Sequence, residues 1–335
     1  MAAQAATGNA IEISLEQGGL DASALHRFAD GIVARHAAAP GGDAGAFLTQ
    51  IERLAAAEAQ RREWPRQRPQ IERRARAQRV RQLPAGTSGD ILYDLADQLA
   101  ALLHDGRAAE ANIVANRYLD IAPQGATGWA TLPLFVSLHA IDTGDAVLAE
   151  AALAPSPPRL VVIGGRSGTG KSTLARLLGA RIGRAPGARV LRSDVFRKRL
   201  AGLAPETRLP PAHYTRHSDE ATYEALFESA YDHLACGSSV ILDAVFLSRS
   251  ERDVAEAIAF RADVPFTGIW LEAPERDLIA RVSARSGDAS DATAEVVREQ
   301  ARLAVGELAG WHRMRVNRPI ELIVAAARGV LERKR

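Results

Sequence analysis

Cysteine is nearly missing from this chain: Cys236 is the one thiol among 335 residues. An intramolecular disulfide is therefore impossible, and zinc sites built from cysteine clusters are excluded with it. Cys236 itself reads as a small buried residue near a helix end. Long apolar runs are also missing, and no stretch approaches the length of a membrane span. The opening residues, "MAAQAATGNAIEIS", have neither the basic region nor the apolar core of a secretory signal. The expected location is cytoplasmic, with no membrane partner. An excess of either sign of charge is missing as well. Lys and Arg number 42 against 40 Asp and Glu, a net charge of +2, so global charge points to neither nucleic acid nor membrane. What remains is ordinary for a folded protein, with 47% hydrophobic and 24% charged residues. The length allows two domains.

Residues 21–37 place Leu25, Phe28, Ile32 and Val33 on one helical face, with Asp21 as N-cap. Residues 44–60 repeat the pattern with Phe47, Ile51 and Leu54. The run 61–82 then carries nine arginines against two glutamates and two prolines. Such a run can grip polyphosphate or nucleic acid. Aromatic interleaving is nearly absent, which favours a solvated helix or basic connector over 61–88. Helical periodicity returns from Asp90 to about Leu153, and without strand-like alternation residues 1–153 read as all-helical. "APSPP", residues 154–158, is a stiff linker and the clearest boundary in the chain.

Beyond it the pattern changes. "RLVVIGG", "ARVLRSD", "SSVILDAVF" and "PFTGIWLEA" have strand length, and each precedes a helical stretch. A fifth run, "HRMRV", precedes a helix that Pro319 would open. Alternation of this kind predicts an α/β domain over 159–335, a parallel sheet with helices on both faces and ligands at the carboxyl ends of its strands.

The first such end is "GGRSGTGKST". Gly165, four residues, Gly170, Lys171 and Ser172 fit the Walker A spacing of a P-loop NTPase. Glycines let the backbone curl until successive N–H groups point inward, and the following helix start adds partial positive charge. Gly165, Arg166, Ser167, Gly168, Thr169, Gly170, Lys171, Ser172 and Thr173 are accordingly the expected ATP-binding residues. Lys171 should reach the β- and γ-phosphates, and the Ser172 hydroxyl should sit on Mg²⁺.

Three further stretches suggest phosphoryl transfer. Asp194 and Arg197 in "RSDVFRKRL" lie one helical turn apart; they offer a carboxylate to take a hydroxyl proton and a cation to fix the acceptor. Asp243 ends an apolar strand, the usual place of the metal-side carboxylate. Phe246 and Arg249 just beyond it are candidate acceptor contacts. Arg281 and Arg285 share a face of a helix followed by "SGDASDAT" and another helix, which suits a lid whose arginines neutralise transferring charge. His213, Tyr214 and His217 occupy an irregular segment and read as surface-loop residues, with substrate contact as the alternative.

Residues 159 to about 317 resemble the AAA_33-type P-loop kinases, a group that includes polynucleotide 5′-kinases, zeta toxins, chloramphenicol phosphotransferases and gluconate kinases. The resemblance rests on "GGRSGTGKST", "RSDVFRKRL", "VILDAVF" and "RVSARSGDASDAT". It implies that Asp194 is base or acceptor anchor. "SDAT" and "WHR" resemble, more narrowly, a bacterial group in which this domain follows an aminoglycoside-phosphotransferase-like domain. "LDASALHRFADGIVARHAAAP" and "GDILYDLADQLAALL" are similar to helical pieces of that preceding domain. Its H-G-D-x-x-x-x-N catalytic element is absent, so the resemblance implies a truncated remnant rather than a second active site. The expected activity is an ATP- and Mg²⁺-dependent kinase acting on a small-molecule hydroxyl. A polynucleotide 5′-hydroxyl kinase and a non-catalytic ATP-binding regulatory module are the alternatives.

Overall fold

A computed structural model describes residues 22–83, 86–284 and 289–333, the side chain of Pro211 apart. The expected cap Asp21 and the lid candidate Arg285 lie outside the described residues. The chain packs as two units, one of residues up to Ser156 with Gly183–Gly187, the other of Pro157–Ile182 with Ala188–Arg335.

The first unit is built from helices α1 (Ala22–Ala38), α2 (Ala44–Leu54), α3 (Glu58–Arg76), α4 (Ile91–His104), α5 (Ala108–Ile121), α6 (Gly125–Asp142) and α7 (Ala146–Leu153). The apolar stripes read from the sequence face one core, where Leu25, Ile32, Phe47 and Ile51 pack with Leu92, Leu99 and Phe135. Phe28, Val33 and Leu54 lie half-buried against it. One departure from an all-helical unit appears. Strands β1 (Val80–Gln82) and β2 (Ser88–Asp90) form an antiparallel hairpin. Three residues per strand are too few for period-two alternation to show in a sequence. Asp90 fixes the hairpin to the helices, accepting two bonds from Arg74 (2.8 and 2.7 Å) while capping α4 through the Leu92 N–H.

The arginine run is thus not one connector. It forms most of α3, which continues through Pro65 and Pro69 although each removes a main-chain donor, and then enters the hairpin. Within the unit's second piece, the Asn112 amide reaches Pro186 O at 3.2 Å and Arg184 pairs with Glu63 at 3.1 Å. Gly183–Gly187 therefore belongs with the helices, although its place in the sequence lies past the proline linker.

In the second unit, strands β3 (Leu160–Gly165), β4 (Arg189–Arg192), β5 (Val240–Asp243), β6 (Phe266–Glu272) and β7 (Trp311–Arg315) form a parallel sheet in the order β4-β5-β3-β6-β7. Alternation along the strands feeds two cores. Leu160, Val162 and Leu242 meet helices α10 (Arg216–Ala235) and α11 (Arg249–Arg261) on one face. Val161, Ile163 and Ile241 meet α8 (Lys171–Gly179) and α14 (Ile320–Glu332) on the other. Two-sided burial is why the strands read as continuous apolar runs. Pro319 stands one position before the place expected for it, as the N-cap of α14. From β3 the chain moves to β4 and β5 on one side, then returns to β6 and β7 on the other. That reversal opens a crevice at the carboxyl end of β3, where ligands bind in sheets of this kind.

Candidate active site

The loop after β3 fills that crevice. Gly165 has φ +140°, and a Cβ there would lie 2.6 Å from Leu271 O. Gly168 has φ +83°, and its Cβ would lie 2.7 Å from Leu278 O. Gly170, at φ +88°, caps α8, and a Cβ there would meet nothing within 4 Å. The first two glycines permit packing against the neighbouring backbone, while the third leaves its space to the cavity. Gly165→Ala should therefore destabilise the unit by about 1–3 kcal/mol through backbone strain, with a further cost from the carbonyl contact. Gly170→Ala carries the strain without the clash and should cost less. Urea unfolding of the two variants checks the order, and a reversed ranking would contradict this packing.

Lys171 extends back over the loop, its Nζ donating to Gly165 O (2.8 Å) and Arg166 O (3.2 Å). Thr169 Oγ1 also donates to Arg166 O, at 2.7 Å. Arg166 does not face the phosphate cradle. Its guanidinium donates to Gln300 O (3.1 Å) and Ala301 O (3.3 Å) in α13 (Ala294–Arg302). Gln300 in turn accepts from the Ser167 N–H at 2.8 Å and donates to Ser167 Oγ at 3.2 Å. Thr173 stands exposed in the first turn of α8.

The structure brings the two expected metal-side residues together. Ser172 Oγ donates to Asp243 Oδ2 at 2.5 Å. A hydroxyl and a carboxylate beside a phosphate cradle suit Mg²⁺, which takes oxygen ligands and keeps several waters. Among the described residues no group of three or more His, Cys, Asp or Glu side chains gathers to hold a metal by itself. Arg192, which sequence reasoning passed over, also reaches both: Nη2 lies 3.1 Å from Ser172 Oγ and Nε 3.3 Å from Asp243 Oδ2.

Ser167, Lys171, Ser172, Asp243, Asp194 and Arg197 line one cavity of about 1370 Å³. Asp194 lies in the first turn of α9 (Ser193–Leu200). Burial pushes its carboxyl above the ordinary carboxylate value, against the pull of the Arg192 charge, and Asp243 adds to the rise. Arg197 pairs with Asp219 at 2.7 Å, its guanidinium lying 5.3 Å from the centre of the Tyr214 ring. Tyr214 lines the cavity, whereas His213, at the end of a 3-10 turn, and His217, in the first turn of α10, are exposed and do not line it. Asp291, in the "SDAT" segment, accepts from the Leu209 N–H (3.0 Å), Tyr214 (2.7 Å) and the fully buried Lys198 (3.1 Å). Burial works to raise its carboxyl, but these hydrogen bonds hold it below the usual value.

Arg281, in α12 (Glu275–Ala284), lines the cavity but donates to backbone, to Gly168 O at 3.4 Å and Val316 O at 2.8 Å. Two expectations fail. Phe246 is fully buried in the sheet core and packs near Tyr223 and Trp311. Arg249 is exposed, ion-paired with Asp253 at 3.6 Å. Neither lines the cavity. The apolar side chain of Phe246 favoured the core over the acceptor.

Several solved structures are similar to about half of this chain. A gluconokinase from Sinorhizobium meliloti 1021 is 22% identical, with a TM-score of 0.38, over 53% of this chain and 93% of its own. An APS kinase of Mycobacterium tuberculosis, solved with AMPPNP and APS, is 19% identical, with a TM-score of 0.39, over 53% of this chain and 100% of its own. Among curated proteins, uncharacterized proteins of Mycobacterium tuberculosis H37Rv and Mycobacterium bovis are each 32% identical over 188 residues, 54% of this chain and 36% of theirs. The chain thus spans about a third of the length of these relatives. Residues 160–305, which hold the phosphate loop, Asp194, Asp243 and the α12–α13 pair, match the AAA_33 family model, an AAA domain.

Proposed function

We propose that the second unit transfers the terminal phosphoryl group of ATP to a hydroxyl of a small molecule. One observation carries this reading. The phosphate loop, the Ser172–Asp243 pair and the Asp194 carboxylate all open onto a single cavity. A nucleotide switch needs the first two features but has no use for a carboxylate facing an acceptor space. In the proposed step the acceptor oxygen attacks the γ-phosphorus in line, the bond to the β–γ bridging oxygen breaks, and the acceptor proton passes to Asp194. Lys171 leaves the Gly165 and Arg166 carbonyls for the phosphates, and Ser172 and Asp243 would hold Mg²⁺, which would supply neutralising charge to the phosphate oxygens. Arg281 is close enough to the loop to steady it.

A small acceptor is favoured over a nucleic-acid strand. Asp194, Asp219 and Glu251 line the cavity, and carboxylates repel a phosphate backbone. Arg197, the cation expected to grip the acceptor, is already neutralised by Asp219. Within the arginine run, Arg62, Arg68 and Arg74 pair with Glu58, Glu72 and Asp90.

Incubating the protein with ATP, Mg²⁺ and a panel of sugars, antibiotics, nucleosides and oligonucleotides tests the proposal. Nucleotide consumption should rise with a small-molecule acceptor and yield its phosphorylated form. If only oligonucleotide ends are labelled, the polynucleotide reading replaces it. Nucleotide binding with no acceptor-dependent turnover would favour a regulatory module.

A further inference from the structure

Arg192 is the last residue of β4, and the parallel register sets it directly opposite Asp243 at the end of β5. Both side chains are largely buried, 12% and 5% exposed. The strand register thus fixes a guanidinium and a carboxylate side by side at the mouth of the phosphate loop. The guanidinium also takes Ser172 Oγ at 3.1 Å, so it holds both oxygen donors that the proposed metal site needs. Two cations cannot share those oxygens. Like charges a few ångströms apart repel, so one must leave when the other binds.

We infer that Arg192 is a resident counter-charge for the metal locus: it holds Ser172 and Asp243 in the nucleotide-free protein and exchanges with the divalent cation on loading. The inference rests on the metal role proposed above for those two residues. Arg192 keeps the hydroxyl and carboxylate aligned and spares Asp243 the cost of a buried unpaired charge. On exchange it gives up both oxygens, but its backbone remains fixed in the sheet. Asp194 follows two residues later, and the charge of Arg192 already acts on it. The displaced guanidinium therefore stays at the cavity end where Lys171 and Asp194 stand, where it stabilises charge on the transferring phosphoryl group as a second cation. Metal entry and delivery of this cation become one event.

The prediction pairs two effects of opposite sign. Arg192→Gln should bind Mn²⁺ without nucleotide roughly tenfold or more tightly than the unaltered protein, because the competing cation is gone. The same variant should turn over at least tenfold more slowly with saturating metal and ATP. Arg192→Lys, which keeps the charge and loses the planar fork, should fall between in both. Mn²⁺ titration followed by electron paramagnetic resonance gives the affinities. Unchanged or weaker Mn²⁺ binding in Arg192→Gln would overturn the inference. Asp243→Asn serves as the reference: if it fails to weaken Mn²⁺ binding, the metal assignment itself is wrong. If Asp243→Asn weakens Mn²⁺ binding while Arg192→Gln leaves it unchanged, only the role of Arg192 falls. Should Arg192→Gln not fold, a crystal structure of the unaltered protein with Mg²⁺ and a non-hydrolysable ATP analogue decides. Arg192 must then have left both oxygens; a guanidinium still on them, beside a metal held elsewhere, refutes the exchange.

Discussion

Lys171→Ala is expected to reduce phosphoryl transfer by at least ~10²–10³-fold, the scale of losing one preorganised charge-stabilising donor, and to weaken ATP binding with it. The ammonium is held at the loop's own carbonyls, 2.8 Å from Gly165 O and 3.2 Å from Arg166 O. Those bonds keep it poised at the cradle, and a triphosphate offers stronger, charged acceptors in exchange. Truncation also removes the two bonds from the free protein. The variant should therefore lose about 1–3 kcal/mol in urea unfolding, at a net 0.5–1.5 kcal/mol per hydrogen bond. Calorimetric titration with ATP, run beside the turnover assay, separates the effects. Undiminished ATP affinity together with normal turnover would remove Lys171 from the site.

What the sequence made legible follows from where each signal resides. The phosphate loop could be read because its glycines, lysine and serine are contiguous, and the conformation they need is local: φ of +140°, +83° and +88° at Gly165, Gly168 and Gly170. The sheet could be read because burial on both faces leaves uninterrupted apolar runs. The hairpin at 80–90 could not, since a pairing of three residues leaves no pattern longer than noise. Arg192, Gln300 and Asp291 were hidden for another reason. Arg192 meets Ser172 across 20 positions and Asp243 across 51, and Gln300 meets Ser167 across 133. Only the strand order and the return of α13 to the loop create those contacts. Arg166 shows how far a motif reaches: the expectation for it concerns its main-chain N–H, while its guanidinium satisfies the carbonyls at the end of α13. A motif prescribes its backbone more firmly than its variable side chains.

Asp194→Asn should separate phosphoryl transfer from nucleotide binding. The amide keeps the size of the carboxyl and most of its hydrogen bonding but cannot take the acceptor proton. General-base assistance is typically worth ~10²–10⁴-fold, and single-turnover transfer should fall within that range. ATP affinity should hold, because in the proposed arrangement the residue serves the acceptor while Lys171, Ser172 and Asp243 serve the triphosphate. The pH dependence gives a second signature. Burial raises the Asp194 carboxyl above its ordinary value, so the acid limb of kcat/KM should lie above the usual carboxylate range and vanish in the variant. Stability should move the other way from activity. Because the folded carboxyl is harder to ionise than the unfolded one, its contribution is fully present below the unfolded value and is lost as pH rises through the folded value. An amide carries no such penalty, so at neutral pH Asp194→Asn should unfold at equal or higher urea concentration than the unaltered protein. Arg197→Ala offers the contrast. It leaves Asp219 unpaired and uncovers Tyr214, and should raise the acceptor KM if its contact is equal in ground and transition states, or lower kcat if made only in the latter. Loss of ATP binding in Asp194→Asn would move that carboxylate to the metal side, and full activity would reduce it to a side chain at a helix start.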